Sequence, residues 1–215
     1  FQAEDGIRDF CLSRGLGDVY KRQVLYYTII KFMSKRILVL GKSSIAEKLQ
    51  KNCNQHSITI LGKPEYNFAS KSVCDKIIDL CDHDVIILSY AINKTDDFFD
   101  MINTNITSTS YMITKLYQKM KQGQIIFVSS AIVNWVSFPD IDNQRMIYGW
   151  TKESVSKLCE HINRQNSNNS KNIAVQVYEP NSFTSKMNPQ STIDINFVAK
   201  ELEHLIDHPR ISVLR

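Results

Sequence analysis

A chain of 215 residues, 43% hydrophobic and 22% charged, with only seven glycines and five prolines, has the composition of an ordinary globular domain and the length for one sizeable core. The net charge of +4 comes without any basic run and gives no support to nucleic-acid binding. The five cysteines (Cys11, Cys53, Cys74, Cys81 and Cys159) form no C-x-x-C pair and no zinc spacing, so they read as reduced, buried thiols of a cytoplasmic protein. His204 and His208 share a helix face without a third ligand close by in sequence, and no metal site is expected.

Taken in chain order, residues 1–23 show neither helical nor strand periodicity and resemble translated sequencing-adapter read-through. "VLYYTIIKF" (24–32) is too short to span a bilayer. Residues 1–32 are therefore expected to be a leader outside the fold, with Met33 as the start and 33–215 as a single domain. Regular patterning begins with "RILVL" (36–40), an apolar β-branched run of the kind buried on both faces of a sheet. "IAEKLQKNC" (45–53) reads as a helix, "SITIL" (57–61) as a strand, "KSVCDKIIDLC" (71–81) as a helix and "DVIILSY" (84–90) as a strand. A long helix is expected over Phe98–Lys121, with Gly123 as its C-cap, followed by the strand "QIIFVSS" (124–130). After an irregular stretch (131–146) the pattern predicts a helix over Tyr148–Arg164, a polar loop "NSNNS" (166–170), the strand "IAVQVYEP" (173–180), the helix "INFVAKELEHLI" (195–206) and the tail "ISVLR". Such alternation predicts an α/β fold, a doubly wound parallel sheet of Rossmann type in three layers, α/β/α.

In that architecture ligands bind beyond the carboxyl ends of the strands. The strand ends are Gly41–Ser44, Gly62–Lys63, Ser89–Asn93, Ser129–Ser130 and Pro180–Ser185. The spacing Tyr-x-x-x-Lys occurs five times, at Tyr27/Lys31, Tyr90/Lys94, Tyr111/Lys115, Tyr117/Lys121 and Tyr148/Lys152, so spacing alone selects none of them. Position does: only Tyr148/Lys152 opens a helix soon after a strand that ends in serines. A phenol with a pKa near 10 is a poor base near neutrality, and a lysine one helical turn away favours its phenolate.

The order of these segments resembles the short-chain dehydrogenase/reductase family. "NITSTSYMITKLYQKM" (105–120) is similar to the family's asparagine helix, "GQIIFVSSAI" (123–132) to its serine strand, "YGWTK" to its Tyr–Lys pair, and "EPNSFTSKM" (179–187) to its Pro-Gly-x-Val-x-Thr-x-Met segment. The resemblance covers residues 35–206 and implies a catalytic set of Asn105, Ser130, Tyr148 and Lys152. Tyr148 would exchange the proton as hydride moves between a nicotinamide and a carbonyl or hydroxyl of a small molecule. Ser130 would bond the substrate oxygen, Asn105 would hold a water in the relay behind Lys152, and Lys152 would also bond the nicotinamide ribose. A non-catalytic dinucleotide-binding or scaffold protein, and a sugar-nucleotide epimerase or dehydratase of related fold, are the alternatives.

The implied cofactor contacts are Gly41, Lys42, Ser43, Ser44, Ile45, Lys63, Ser89, Tyr90, Ala91, Tyr148, Lys152, Pro180, Asn181, Phe183 and Ser185. The first turn, "LGKSSIAEKL", keeps one glycine of the family's three, and the second strand is followed by Lys63 with no acid beside it, which favours NADP over NAD. "LSYA" (88–91) replaces Asn-Asn-Ala-Gly. The segment before "DVIILSY" is short of a strand or helix, and that between Ser130 and Tyr148 is long and carries Trp135 and Phe138, expected to lie over the substrate. Family resemblance further implies a homodimer or homotetramer, with no membrane or nucleic-acid partner.

Overall fold

Apolar runs without polar alternation need cover on both faces, and the chain supplies it by sending successive helices to opposite sides of one sheet. In the computed structural model, the described residues are 34–93, 97–134, 142–169, 171–183 and 190–209. All but Ser34 belong to the compact unit Lys35–Arg215. The expected leader, Tyr27, Lys31, Lys94, Trp135, Phe138, Ser185 and the C-terminal "ISVLR" lie outside the described residues.

The five strands are β1 (Arg36–Leu40), β2 (Ser57–Leu61), β3 (Val85–Leu88), β4 (Gln122–Val128) and β5 (Asn172–Tyr178). All pairings are parallel and the order is β2-β1-β3-β4-β5, so the chain runs outward from β1 to β2, then reverses to build β3, β4 and β5 on the other side. The two-residue period of the strands divides the core. Leu38, Leu40, Ile86, Leu88, Ile125 and Phe127 face one way, beneath α2 (Lys71–Leu80), α4 (Thr109–Lys119) and α5 (Asn143–Asn169). Ile37, Val39, Val85, Ile87, Ile126 and Val128 face the other, beneath α1 (Ser44–Asn52) and α6 (Ile195–Asp207). The three-layer expectation holds, and no described helix is long and apolar enough to cross a membrane.

Three local readings are corrected. The helix expected over 98–121 is α3 (Phe98–Ile102), a π-helical turn at Asn103–Ser108, and α4, which ends at Lys119. Gly123 does not cap it; Gly123 lies within β4 at φ +125°, where a Cβ would stand 2.5 Å from the Asp84 carbonyl oxygen. That approach lets Gln124 N–H donate to Asp84 O at 3.0 Å. Helix α5 begins at Asn143, ahead of Tyr148, because the Asp142 carboxylate accepts from Arg145 N–H at 2.8 Å as an N-cap does. It also runs on to Asn169, into "NSNNS", whose polar character suggests a loop. Asn166, the first residue of that stretch, and Asn163 before it bond the backbone of Ile173 and Val175 on the sheet's edge strand, covering groups that would otherwise template another strand.

Gly123→Ala combines a left-handed φ with a backbone collision and is expected to lower stability by about 2 kcal/mol or more in urea denaturation. The neighbouring Gln122→Ala, exposed in the same strand, should stay within about 0.5 kcal/mol.

Candidate active site

Where β1 and β3 lie side by side but their connections leave in opposite directions, the sheet opens a crevice. A cavity of about 490 Å³ sits there, and all five strand exits contribute to its wall. Gly41, Lys42 and Ser43 come from the exit of β1, with Ile45 from α1; Lys63 follows β2; Ser89, Tyr90 and Ala91 follow β3; Ser130 follows β4; Pro180, Asn181 and Phe183 follow β5. Tyr148 and Lys152 reach it from α5. Of the other expected residues, Ser44 is the first residue of α1 and is off the wall, and Asn105 lies behind it.

The β1 turn is tight. Gly41 has φ +116°, and a Cβ on it would stand 2.7 Å from the backbone nitrogen of Tyr90. Ser43 caps α1 by accepting from Ala46 N–H at 3.2 Å, and its hydroxyl donates to Ser89 Oγ at 3.2 Å. Ser89 Oγ in turn donates to the carbonyls of Leu40 and Gly41. The two serine hydroxyls therefore stitch the β1 and β3 exits together. The first-turn amides of Ser44 and Ile45, which precede any intrahelical bond, are the donors α1 offers to an anion. Tyr90 is buried and stacks on Phe68, with ring centroids 4.2 Å apart and planes 17° apart, making an aromatic part of the wall.

At the opposite end, the side chain of Lys152 is buried and donates to Val128 O at 2.8 Å, with its ammonium 4.8 Å from the Phe127 ring centre and 5.8 Å from that of Tyr148. Ser130 accepts from Ile132 N–H through its hydroxyl at 3.4 Å, shaping the short 3₁₀ turn Ala131–Asn134. Its neighbour Ser129 is buried, accepts from the Ser156 hydroxyl and continues the ladder to Tyr178 O.

A family model described as short chain dehydrogenase matches residues 88–196, more than half of the chain and the stretch that holds Asn105, Ser130, Tyr148 and Lys152. This chain belongs to the short-chain dehydrogenase family. With the family it belongs to the NAD(P)-dependent oxidoreductases. Similar solved structures include a short chain dehydrogenase from Burkholderia cenocepacia J2315 in complex with NADP, at 14% identity and TM-score 0.71 over 86% of this chain and 96% of that one. BdcA in complex with NADPH matches at 13% identity and TM-score 0.69 over 85% of this chain and 93% of its own. The 3-alpha-hydroxysteroid dehydrogenase from Pseudomonas sp. B-0831, complexed with NADH, matches at 13% identity and TM-score 0.65 over 83% and 94%. These three share the fold. No curated protein matches the chain.

Within this short-chain dehydrogenase, the other described tyrosines of the repeated spacing, Tyr90, Tyr111 and Tyr117, make packing or hydrogen-bond contacts of their own. The Tyr111 hydroxyl donates to Asp75 at 2.5 Å, that of Tyr117 donates to Asn166 at 3.3 Å, and Tyr90 is stacked in the core. Asn105 is buried behind the wall. Its amide nitrogen donates to Ile92 O at 2.7 Å and Thr151 Oγ1 at 3.1 Å, while its oxygen accepts from Ile92 N–H at 2.8 Å. Both amide hydrogens are thus engaged within the protein. Thr151 donates to Tyr148 O at 2.7 Å, so the side chain of Asn105 braces the loop after β3 against the turn of α5 that carries Tyr148. Asn67, Phe68, Ile92, Thr104 and Ser182 also line the cavity. They sit in loops and on one turn of a helix, and no sequence period marked them.

Burial acts against the expected effect of Lys152 on Tyr148. Burial pushes the Tyr148 phenol up to about 12 and the Lys152 ammonium down to about 7, because each charged form loses water. A lysine whose pKa is lower folded than unfolded leaves the folded state with fewer protons between those two values, so its contribution to stability rises with pH across that window. Urea denaturation at pH 7 and pH 9 should therefore show wild type gaining stability relative to Lys152→Met as pH rises. A constant difference between the two would contradict the burial of that ammonium.

Proposed function

We propose that this chain interconverts a carbonyl and a hydroxyl on a small molecule, with Tyr148 passing the proton and NADP preferred to NAD as the hydride partner. The observation that carries the reading is that Tyr148, Lys152 and Ser130 share one cavity wall with the Gly41 turn, the start of α1 and two lysines at the exits of β1 and β2. The donor set fits a dinucleotide: first-turn amides suit a pyrophosphate, the Phe68/Tyr90 face suits a planar base, and Lys42 and Lys63 at the basic exits suit a phosphorylated ribose. Bound there, the nicotinamide would supply or take up the hydride.

The chain's own groups do the rest. Ser130 donates to the substrate oxygen and holds it beside Tyr148. In reduction, the Tyr148 phenol gives its proton to that oxygen as negative charge develops on it; in oxidation, the phenolate takes the proton back. Lys152 in its charged form favours the phenolate and orients the ribose, and with its pKa lowered by burial it gains a proton when an anionic partner comes near. Asn105 and Thr151 keep the Tyr148 turn in place. A cytoplasmic homodimer or homotetramer belongs to the same reading, with the exposed Phe98, Phe99, Met146 and Trp150 of α3 and α5 as its apolar contact surface.

Turnover of NADPH with a panel of simple aldehydes, ketones and quinones tests the assignment. Tyr148→Phe should lower it by about 100-fold or more, since it removes the acid-base group, while NADPH binding changes less than about twofold, a shift well under 1 kcal/mol. Tyr111→Phe should keep its turnover. Equal losses in the two variants would place the proton donor elsewhere.

A further inference from the structure

The sequence shows no acid directly after β2, yet one reaches this end of the cavity from two residues further on. The ammonium of Lys42 lies 2.9 Å from Glu65 Oε2, and the pairing holds the Glu65 carboxyl below its ordinary range. The contact is built into the backbone. A Cβ on Gly62 would stand 2.7 Å from Lys42 N and 2.9 Å from Lys42 Cγ, so the stem of Lys42 lies against the bare glycine. The turn closed by Tyr66 N–H to Gly62 O at 3.2 Å then brings Glu65 back to the head of the same lysine. Lys42 and Lys63 line the cavity while Glu65 stands at its rim, and among the described residues Lys63 has no acidic partner. The cationic end thus holds two lysines and one carboxylate that has already claimed one of them.

We propose that Glu65 is a selectivity-setting residue: it competes with the cofactor for Lys42 and so lowers the preference of the site for a phosphorylated adenosine ribose over an unphosphorylated one. This rests on the reading of the cavity as a dinucleotide site. A ribose 2′-phosphate draws on both lysines, so it must exchange the Lys42–Glu65 pair for its own and sit near the carboxylate it displaces. A ribose hydroxyl carries no charge and meets neither cost. The side chains of the pair are 46% and 58% exposed, so it is weak enough to exchange and its effect is a modest factor.

Titration of NADPH and NADH by their fluorescence, against wild type, Glu65→Gln, Lys42→Met and the double variant, tests it without any substrate. Glu65→Gln should tighten NADPH about three- to tenfold and move NADH less than about twofold, and 0.5 M NaCl should shrink the gain. In the Lys42→Met background Glu65→Gln should have little further effect, because the group it competes for is gone. Equal changes for the two cofactors, or none, would overturn the proposal. Weaker NADH binding in Glu65→Gln would also overturn it and make Glu65 an acceptor for a ribose hydroxyl. No binding of either cofactor by wild type would overturn the dinucleotide reading itself, whereas binding without a change in selectivity overturns the role of Glu65 alone.

Discussion

The contact on which the rest depends is the passage of Gly41 beneath the backbone of Tyr90, at a separation with no room for a side chain. It seats the exits of β1 and β3 together at the one place where the order of the sheet reverses. Everything functional is hung from that junction. Helix α1 starts three residues beyond Gly41, the Ser43–Ser89 hydroxyl pair ties the two sides of the junction, and Lys42 is projected along Gly62 into the same cavity wall. A family that ordinarily uses three glycines in its first turn is represented here by one, and the one retained is where backbone meets backbone.

A second constraint acts across the cavity. Lys152 is buried with no carboxylate partner among the described residues, which is costly for an ammonium and lowers its pKa. Its neighbours are arranged so that the cost falls on one group only: Ser129 is spent on Ser156, Asn105 on Ile92 and Thr151, and Thr151 on the carbonyl of Tyr148. The result is a rigid frame around a lysine whose charge is adjustable. A frame of that kind is of little use to a protein that only binds, and it suits one that must shift a proton at a fixed spot.

The strands were legible because runs such as "RILVL" and "SITIL" have one meaning in a chain of this length, and the Tyr148/Lys152 pair was legible from its place after β4. What escaped the sequence was set by contacts between distant segments. Gly123 reads as a helix cap until the approach of Asp84 shows why it must be bare. "NSNNS" reads as a loop until Asn166, with Asn163 before it, is seen to cover the edge of β5. Glu65 was missed because an acid was sought directly after the strand, whereas the turn from Gly62 to Tyr66 delivers it from two residues later. The helix around Asn105 reads as uniform, and its π turn is visible only in the backbone.

The most direct test of the account is whether the wild-type protein, with its single-glycine turn, binds a dinucleotide at all. Titration with NADPH, followed by enhancement of nicotinamide fluorescence, should saturate well below millimolar cofactor and be competed by NADP. A flat titration up to millimolar NADPH and NADH would contradict it, and the cavity beneath Gly41 would then have to be assigned to a different ligand.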